Sequence, residues 1–321
     1  MTQTTVPFIV EPSMTTVYVA GHNGMVGSAM CRRLVTKGYR LVLPEKRVDL
    51  TDQKATLDLV EKLQPDWIFD AAARVGGIAA NSNYPAQFIY ENLMVQSNLM
   101  HAAYVTGVKK FMFLGSSCIY PRLAPQPLRE DYLLSGPLEP TNKPYAVAKI
   151  AGIVMAQSYR KQYGMNCISV MPTNLYGPGD NFNLEDSHVI PAILRKTHEA
   201  KMSQSGFVEI WGSGNSLREF LHVDDMADAC VFLMENYDSG EPINIGTGED
   251  VSIRELAMMI KEVVGFKGQI KFNTSMPDGT PRKLLDVSKL TGLGWKPAIG
   301  LRDGLARTYE WYLKNQDCLR K

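Results

Sequence analysis

Tyr145 and Lys149 stand four residues apart in the segment Pro-Tyr-Ala-Val-Ala-Lys. On a helix, that spacing puts both side chains on one face, one turn from each other. An ammonium near a phenol favours phenolate, so Tyr145 is expected to have a lowered pKa and to give or take a proton near neutrality. Upstream, the run Ser116-Ser117-Cys118-Ile119-Tyr120 offers the Ser116 hydroxyl to a substrate oxygen whose charge changes. Such groups suit hydride transfer at a carbon bearing oxygen. Tyr-x-x-x-Lys alone is more often an amphipathic helix whose Tyr packs and whose Lys faces water, so the elements around it must decide.

The first of these lies near the N-terminus. Thr15–Ala20 reads as a buried strand, and Gly21-His22-Asn23-Gly24-Met25-Val26-Gly27 leads from it into a helical pattern over 28–35. Three glycines between strand and helix allow a tight turn, backbone approach to a pyrophosphate, and close helix packing. The helix N-terminus then offers free N–H groups to the phosphates. After the expected second strand, 40–43, comes Pro44-Glu45-Lys46-Arg47. Lys46 and Arg47 can meet a 2′-phosphate, which favours NADPH, while Glu45 argues the other way. Asp49 and Leu50 are expected on the adenine side.

The rest of the chain supplies the frame. Strands at 67–72, 110–115 and 166–171 alternate with helices, one of them around Phe88–Val105. Beyond Pro172 the rhythm breaks at the loop Gly177–Asn181. Helices near 188–200, 224–236 and 252–264 follow, with a late strand at 242–246. The fold class expected is α/β: a Rossmann-type doubly wound parallel sheet with a smaller, interleaved C-terminal lobe. The expected division is a tail at 1–14, a dinucleotide domain over 15–175 with about 220–246, and a substrate lobe over 176–219 and 247–321.

Composition limits the partners. The chain has 321 residues, with 34 basic and 33 acidic side chains and a net charge of +1. No basic tract points to nucleic acid or a membrane surface as the main partner. A phosphorylated small molecule needs only a local basic pocket. Five cysteines, Cys31, Cys118, Cys167, Cys230 and Cys318, are scattered with neither metal-ligand nor disulfide spacing. No metal site is expected, and the usage suits a reducing cytoplasm. Residues 1–14 carry no basic segment or long apolar run, so no signal peptide is expected.

Glycine triplet, strand-end serine and Tyr-x-x-x-Lys occur in one order, and the chain resembles the extended short-chain dehydrogenase/reductase family, most of whose members remodel nucleotide sugars. The likeness spans nearly the whole sequence, including Arg218–Asp225 and Asn244-Ile245-Gly246. It implies that Ser116 is the catalytic serine and that Lys149 bonds the nicotinamide ribose. Longer stretches resemble one branch: Leu114–Pro121, Leu138–Asn142, Met171–Gly177, Asp180–Phe182, Ser187–Pro191 and Pro277–Leu285. That branch inverts C3 and C5 of GDP-4-keto-6-deoxy-D-mannose and then reduces C4 with NADPH. Asn23 and Pro44–Arg47 depart from the family's usual run where a 2′-phosphate would bind.

The resemblance implies a base and acid pair, Cys118 and His188. The chemistry agrees, since a C4 ketone acidifies the hydrogens at C3 and C5, and each inversion needs a proton removed and another returned opposite. A thiol serves once neighbours lower its pKa. A lone strand-end Cys is more often a small buried hydrophobe, and a lone His before a helix is more often a cap. Cofactor contacts are implied at Gly21, Gly24, Met25, Val26 and Gly27, at Lys46, Asp49, Leu50 and Ala72, at Tyr145 and Lys149, and at Pro172, Asn174, Leu175 and His188. Substrate contacts are implied at Ser117, Asn174, Val189, Lys196, Trp211, Arg218 and Lys283. Trp211 can stack on a base, and Arg218 and Lys283 can neutralise a diphosphate. The alternatives are a rim tryptophan, an Arg218 paired to Asp224 or Asp225, and a solvated Lys283. The resemblance also implies a homodimer through helices near 88–105 and 145–160.

Related dehydratases place a carboxylate just after the serine, whereas Ser117-Cys118 has none. Another nucleotide-sugar 4-reductase or epimerase of this fold is the nearer alternative. A non-catalytic dinucleotide sensor is the remoter one, and it would have no use for these five groups together.

Overall fold

In the computed structural model, which describes residues 11–276 and 278–318, the first strand β1 (Thr16–Ala20) is buried along its whole length. Its β-branched and aromatic side chains suit a strand covered on both faces. There follow α1 (Met25–Thr36), β2 (Arg40–Leu41), α2 (Gln53–Leu63), β3 (Trp67–Asp70), α3 (Ile78–Asn83), α4 (Pro85–Val105), β4 (Lys110–Leu114), α5 (Lys143–Tyr163) and β5 (Cys167–Pro172). Then come β6 (Asn174–Tyr176), α6 (Val189–Met202), β7 (Phe207–Trp211), β8 (Leu217–Arg218), β9 (Phe220–His222), α7 (Val223–Asn236) and β10 (Ile243–Ile245). The last elements are β11 (Val251–Ser252), α8 (Ile253–Val264), β12 (Gln269–Asn273), β13 (Arg282–Lys283), α9 (Ser288–Gly292) and α10 (Leu301–Lys314).

Six strands make one parallel sheet in the order β2-β1-β3-β4-β5-β10. The doubly wound sheet expected from the sequence is present. From β1 the chain runs first to β2 on one side and then to β3 on the other. The crevice beyond the carboxyl ends of β1 and β3 is therefore the switch point where open sheets receive ligands.

One face of the sheet sends Val17, Val19, Trp67 and Phe69 against α1 and α7. The other sends Tyr18, Ile68, Phe111 and Phe113 against α4 and α5. A third cluster joins α6, α8 and α10 through Ile190, Leu194, Leu256, Ile260 and Leu305. Each such side chain contributes about 1.5–3 kcal/mol when fully buried. No helix among the described residues is long and apolar enough to cross a membrane.

Two differences from the sequence expectation are physical. The second strand pairs through Arg40 and Leu41 only. Val42 N still donates to Val17 O at 2.9 Å, but Pro44 has no N–H with which to continue. Second, α2, absent from the sequence expectation, forms between β2 and β3. Asp52 caps it, its carboxylate accepting from Ala55 N at 2.8 Å, and Gln64 closes it in the left-handed region at φ 44°. Of the expected N-terminal tail, residues 1–10 lie outside the described residues, and Pro12–Met14 form one 3-10 turn.

Candidate active site

The crevice above β1 is shaped by glycine. Gly21 has φ +78°, and a Cβ there would stand 2.7 Å from Ala71 O. A Cβ on Gly27 would collide with Gly21 O, so α1 can sit directly on the turn only because glycine is there. Gly24 begins α1 without any side-chain cap, and Met25 and Val26 open its first turn. Uncapped N–H groups therefore face the crevice, the arrangement a pyrophosphate requires. These residues fit a dinucleotide. Ala72 follows β3 across the same crevice. Lys46 and Arg47 lie exposed after β2, and neither is held in an ion pair among the described residues. Asp49 is turned to its own loop, accepting from Thr51 N at 2.9 Å and Thr51 Oγ at 2.7 Å. Leu50 packs on the apolar cluster beneath. Pro172 closes β5. Asn174 Nδ2 donates to Glu219 O at 2.8 Å, and Leu175 packs on the core.

The reactive groups collect where β4 ends. Ser116 Oγ accepts from Cys118 N at 3.2 Å and so caps the short turn Ser117–Ile119, in which Ser117 is buried. Tyr120 OH fastens that turn to the sheet by donating to Asn244 Oδ1 at 2.6 Å. Tyr145 and Lys149 share a face of α5, with the Lys149 Nζ 5.9 Å from the Tyr145 ring centroid. Gly152 lets α5 lie on β4, since a Cβ there would enter the Phe113 ring. Lys149, 3% exposed, donates to Leu114 O at 2.7 Å and stands 4.9 Å from the Phe113 centroid.

From the far part of the chain, Lys283 Nζ reaches Cys118 Sγ at 3.3 Å. β13 pairs with β8 so that Lys283 is in register with Arg218. Both cations act on the thiol, Lys283 acts on His188, and Ser116 and Cys118 act on the Tyr145 phenol. Ser116, Cys118, Tyr145, His188, Arg218 and Lys283 are thus brought together. His188 immediately precedes α6, opened by Val189, and is exposed. Lys196 and the 58% exposed Trp211 form a separate pair, with the ammonium 5.6 Å from the ring centroid. Arg218 is not consumed by Asp224 or Asp225. Asp224 pairs with Arg32 at 2.7 Å, and Asp225 accepts from Ala298 N and Ile299 N.

Residues 17–246 match the NAD dependent epimerase/dehydratase family. The chain belongs to that family. Over 310 residues it is 57% identical to the putative GDP-L-fucose synthase 2 of Arabidopsis thaliana, covering 96% of this chain and 94% of that one. It is 54% identical over 315 residues to the GDP-L-fucose synthase of Escherichia coli K12, covering 95% and 98%. A crystal structure of a GDP-L-fucose synthetase from Naegleria fowleri bound to NADP superposes with a TM-score of 0.90 at 30% identity, covering 98% of each chain.

In this member of the epimerase/dehydratase family the proton affinities differ from the sequence expectation at one place. Burial pushes the Tyr145 phenol up, and the Cys118 thiol adds to the rise while Ser116 opposes it. The expected lowering by Lys149 is absent. The Lys149 ammonium is committed to Leu114 O and to the charge of Asp70, and burial draws its own pKa down to about 8. Burial also pushes the Cys118 thiol up, but Lys283, Ser116 and Arg218 outweigh it and leave the thiol below its ordinary value. The His188 imidazole, although solvent reaches it, is lowered by desolvation from the protein around it and by Lys283, with Asp186 opposing.

Three residues of the site escaped the sequence reading. Glu219, fully buried, accepts from Thr247 N, Gly248 N and Leu285 N at 2.6–2.9 Å and so fixes the strands that carry both cations. Asp278 holds Ser213 and counters the Arg218 charge. Asp70, at the end of β3, acts on the charge of Lys149. None of the three carries a local signal beyond its place in a longer stretch, and Pro277, beside Asp278, lies outside the described residues. The Lys283 contact yields a prediction: Lys283→Met slows alkylation of Cys118 by iodoacetamide near neutral pH about tenfold and moves its midpoint to higher pH. An unchanged midpoint would show that another group sets the thiol.

Proposed function

We propose that this chain is a GDP-L-fucose synthase, inverting C3 and C5 of GDP-4-keto-6-deoxy-D-mannose and reducing the C4 ketone with NADPH. The observation that carries the reading is the thiol: Lys283 lies 3.3 Å from Cys118 in the same cluster as the serine and tyrosine of a reductase. Plain reduction needs no base there.

In this reading Cys118 removes the proton at each of C3 and C5, returning to thiolate by giving that proton to solvent between the two inversions. His188, whose lowered pKa makes its imidazolium a stronger acid, returns a proton on the opposite face. Lys283 beside both groups favours the thiolate and disfavours the imidazolium, which drives the pair in one direction. Ser116 and Tyr145 donate to the O4 oxyanion, since the raised phenol keeps its proton. Tyr145 then releases that proton to O4. When bound, NADPH supplies the hydride to C4, with Lys46 and Arg47 taking its 2′-phosphate and Lys149 its ribose.

The domain division set out from the sequence belongs to this proposal, with the dinucleotide above β1 and the nucleotide sugar toward Arg218, Lys196 and Trp211. So does a cytoplasmic setting, supported by the free thiols of Cys31, Cys118, Cys167 and Cys230. So does a homodimer. Tyr90 and Tyr104 on α4 and Val147, Val154 and Tyr163 on α5 are exposed, and Tyr104 stacks on Tyr163 at 4.2 Å. Apolar surface gathered on two packed helices favours a partner. Sedimentation should give twice the 35.7 kDa chain mass, and a monomer at micromolar concentration would remove this part.

The reaction itself is tested in heavy water with GDP-4-keto-6-deoxy-D-mannose and NADPH. The expected product is GDP-L-fucose carrying deuterium at both C3 and C5. A deuterium-free product of unchanged configuration at both carbons would make the protein a 4-reductase.

A further inference from the structure

Asp70 ends β3 in an unusual place for a carboxylate. Along this strand Trp67 and Phe69 point to the α1 and α7 side, and Ile68 to the α4 and α5 side. Alternation puts Asp70 on the face of Ile68, within an apolar cluster. Its sheet neighbours are Ala20 on β1 and Phe113 on β4, and neither side chain can hydrogen-bond. Asp70 is 1% exposed, and neither carboxylate oxygen finds a hydrogen-bond partner among the described residues. The Ala72 N–H lies near enough to favour the charged form without completing a bond. A buried carboxylate left this way is costly unless a charge compensates it.

That charge is Lys149. Its ammonium sits over Phe113, the cross-strand neighbour of Asp70, and its hydrogen bond to Leu114 O leaves two N–H groups for other partners. Among the described residues Tyr18 on β1 also faces the charge of Asp70. The buried residues of α4 include no charged side chain. We propose that Asp70 is a positioning residue that acts through Lys149, holding its ammonium charged and in place beneath Tyr145. This rests on the reductase reading above and extends it to a residue that touches neither substrate nor cofactor.

The proton affinities agree in direction. Burial raises Asp70 to about 6 with Lys149 opposing, and burial lowers Lys149 to about 8 with Asp70 opposing. Both are charged between those values. Removing the carboxylate removes the negative charge that supports the ammonium, so Lys149 loses its proton at lower pH.

Asp70→Asn keeps the shape, and Asp70→Leu suits the apolar surroundings where the amide variant fails to fold. In the substrate-free protein labelled at lysine nitrogen, the Lys149 signal, identified by its loss in Lys149→Met, is titrated directly. In either variant its midpoint should fall by about one unit, and the alkaline limb of kcat/KM for C4 reduction should fall with it. A midpoint and limb that stay at the native positions would make Asp70 a packing residue and overturn the proposal. Absence of C4 reduction in the native protein would remove the functional reading alone, leaving the lysine titration to decide this one.

Discussion

Cys118→Ser should lower solvent exchange at C3 and C5 by about 10²–10⁴-fold, the usual worth of a positioned base. The oxygen replaces sulfur with little change of shape, so the turn Ser117–Ile119 and its cap from Ser116 should persist. What changes is acidity. Lys283 and Arg218 pull a thiol below its ordinary pKa, but the same charges leave a serine hydroxyl protonated throughout the working range. The sign of the pH dependence follows. Native exchange rises with pH as the thiolate forms, and its midpoint lies below that of an unperturbed thiol. The serine variant has no such limb. Ketone reduction uses Ser116, Tyr145 and Lys149, so this variant should still consume NADPH on unepimerised ketone. The assay is deuterium incorporation at C3 and C5 in heavy water with NADPH omitted. Exchange at the native rate would remove Cys118 from the role of base and leave Lys283 without a target.

How much of this site was legible in the sequence follows from the range of the forces involved. Gly21, Gly24 and Gly27 announce the crevice because each meets a local demand: a positive φ, an uncapped helix start and a contact too close for a Cβ. Tyr145 and Lys149 announce themselves through the helical repeat alone. Lys283 is different. Its contact with Cys118 joins residues 165 apart and depends on the β13–β8 register, which two-residue strands do not advertise. Glu219 makes that register through three backbone N–H groups from two other segments, again out of reach of any local pattern. The phenol expectation failed for a related reason. Spacing places an ammonium near Tyr145, but burial and a third group, Asp70, decide where its charge is felt. α2 is a different case: Thr56, Leu59, Val60 and Leu63 recur at the helical spacing behind the cap Asp52, so its signal is local and an expectation built on alternating strands passed over it.

The raised phenol bears directly on the last prediction. Tyr145→Phe removes the hydroxyl and nothing else, since the ring can keep its edge contact with Phe88, 6.4 Å away between centroids. Hydride arriving at C4 leaves an alkoxide that must be protonated as it forms, and Tyr145 holds the proton meant for it. C4 reduction should therefore fall by about 10²–10⁴-fold. Exchange at C3 should fall far less. Ser116 still donates to O4, while Cys118 keeps its thiolate because its lowering comes from Lys283, Ser116 and Arg218 and not from Tyr145. The split between the two activities is the informative result, because a merely unfolded variant would lose both. NADPH oxidation measured beside deuterium incorporation reads it. Native NADPH oxidation in this variant would remove Tyr145 as the acid. An equal loss of both activities in a folded protein would mean that the phenol stabilises the O4 oxyanion in both reactions and that Ser116 cannot stand in for it.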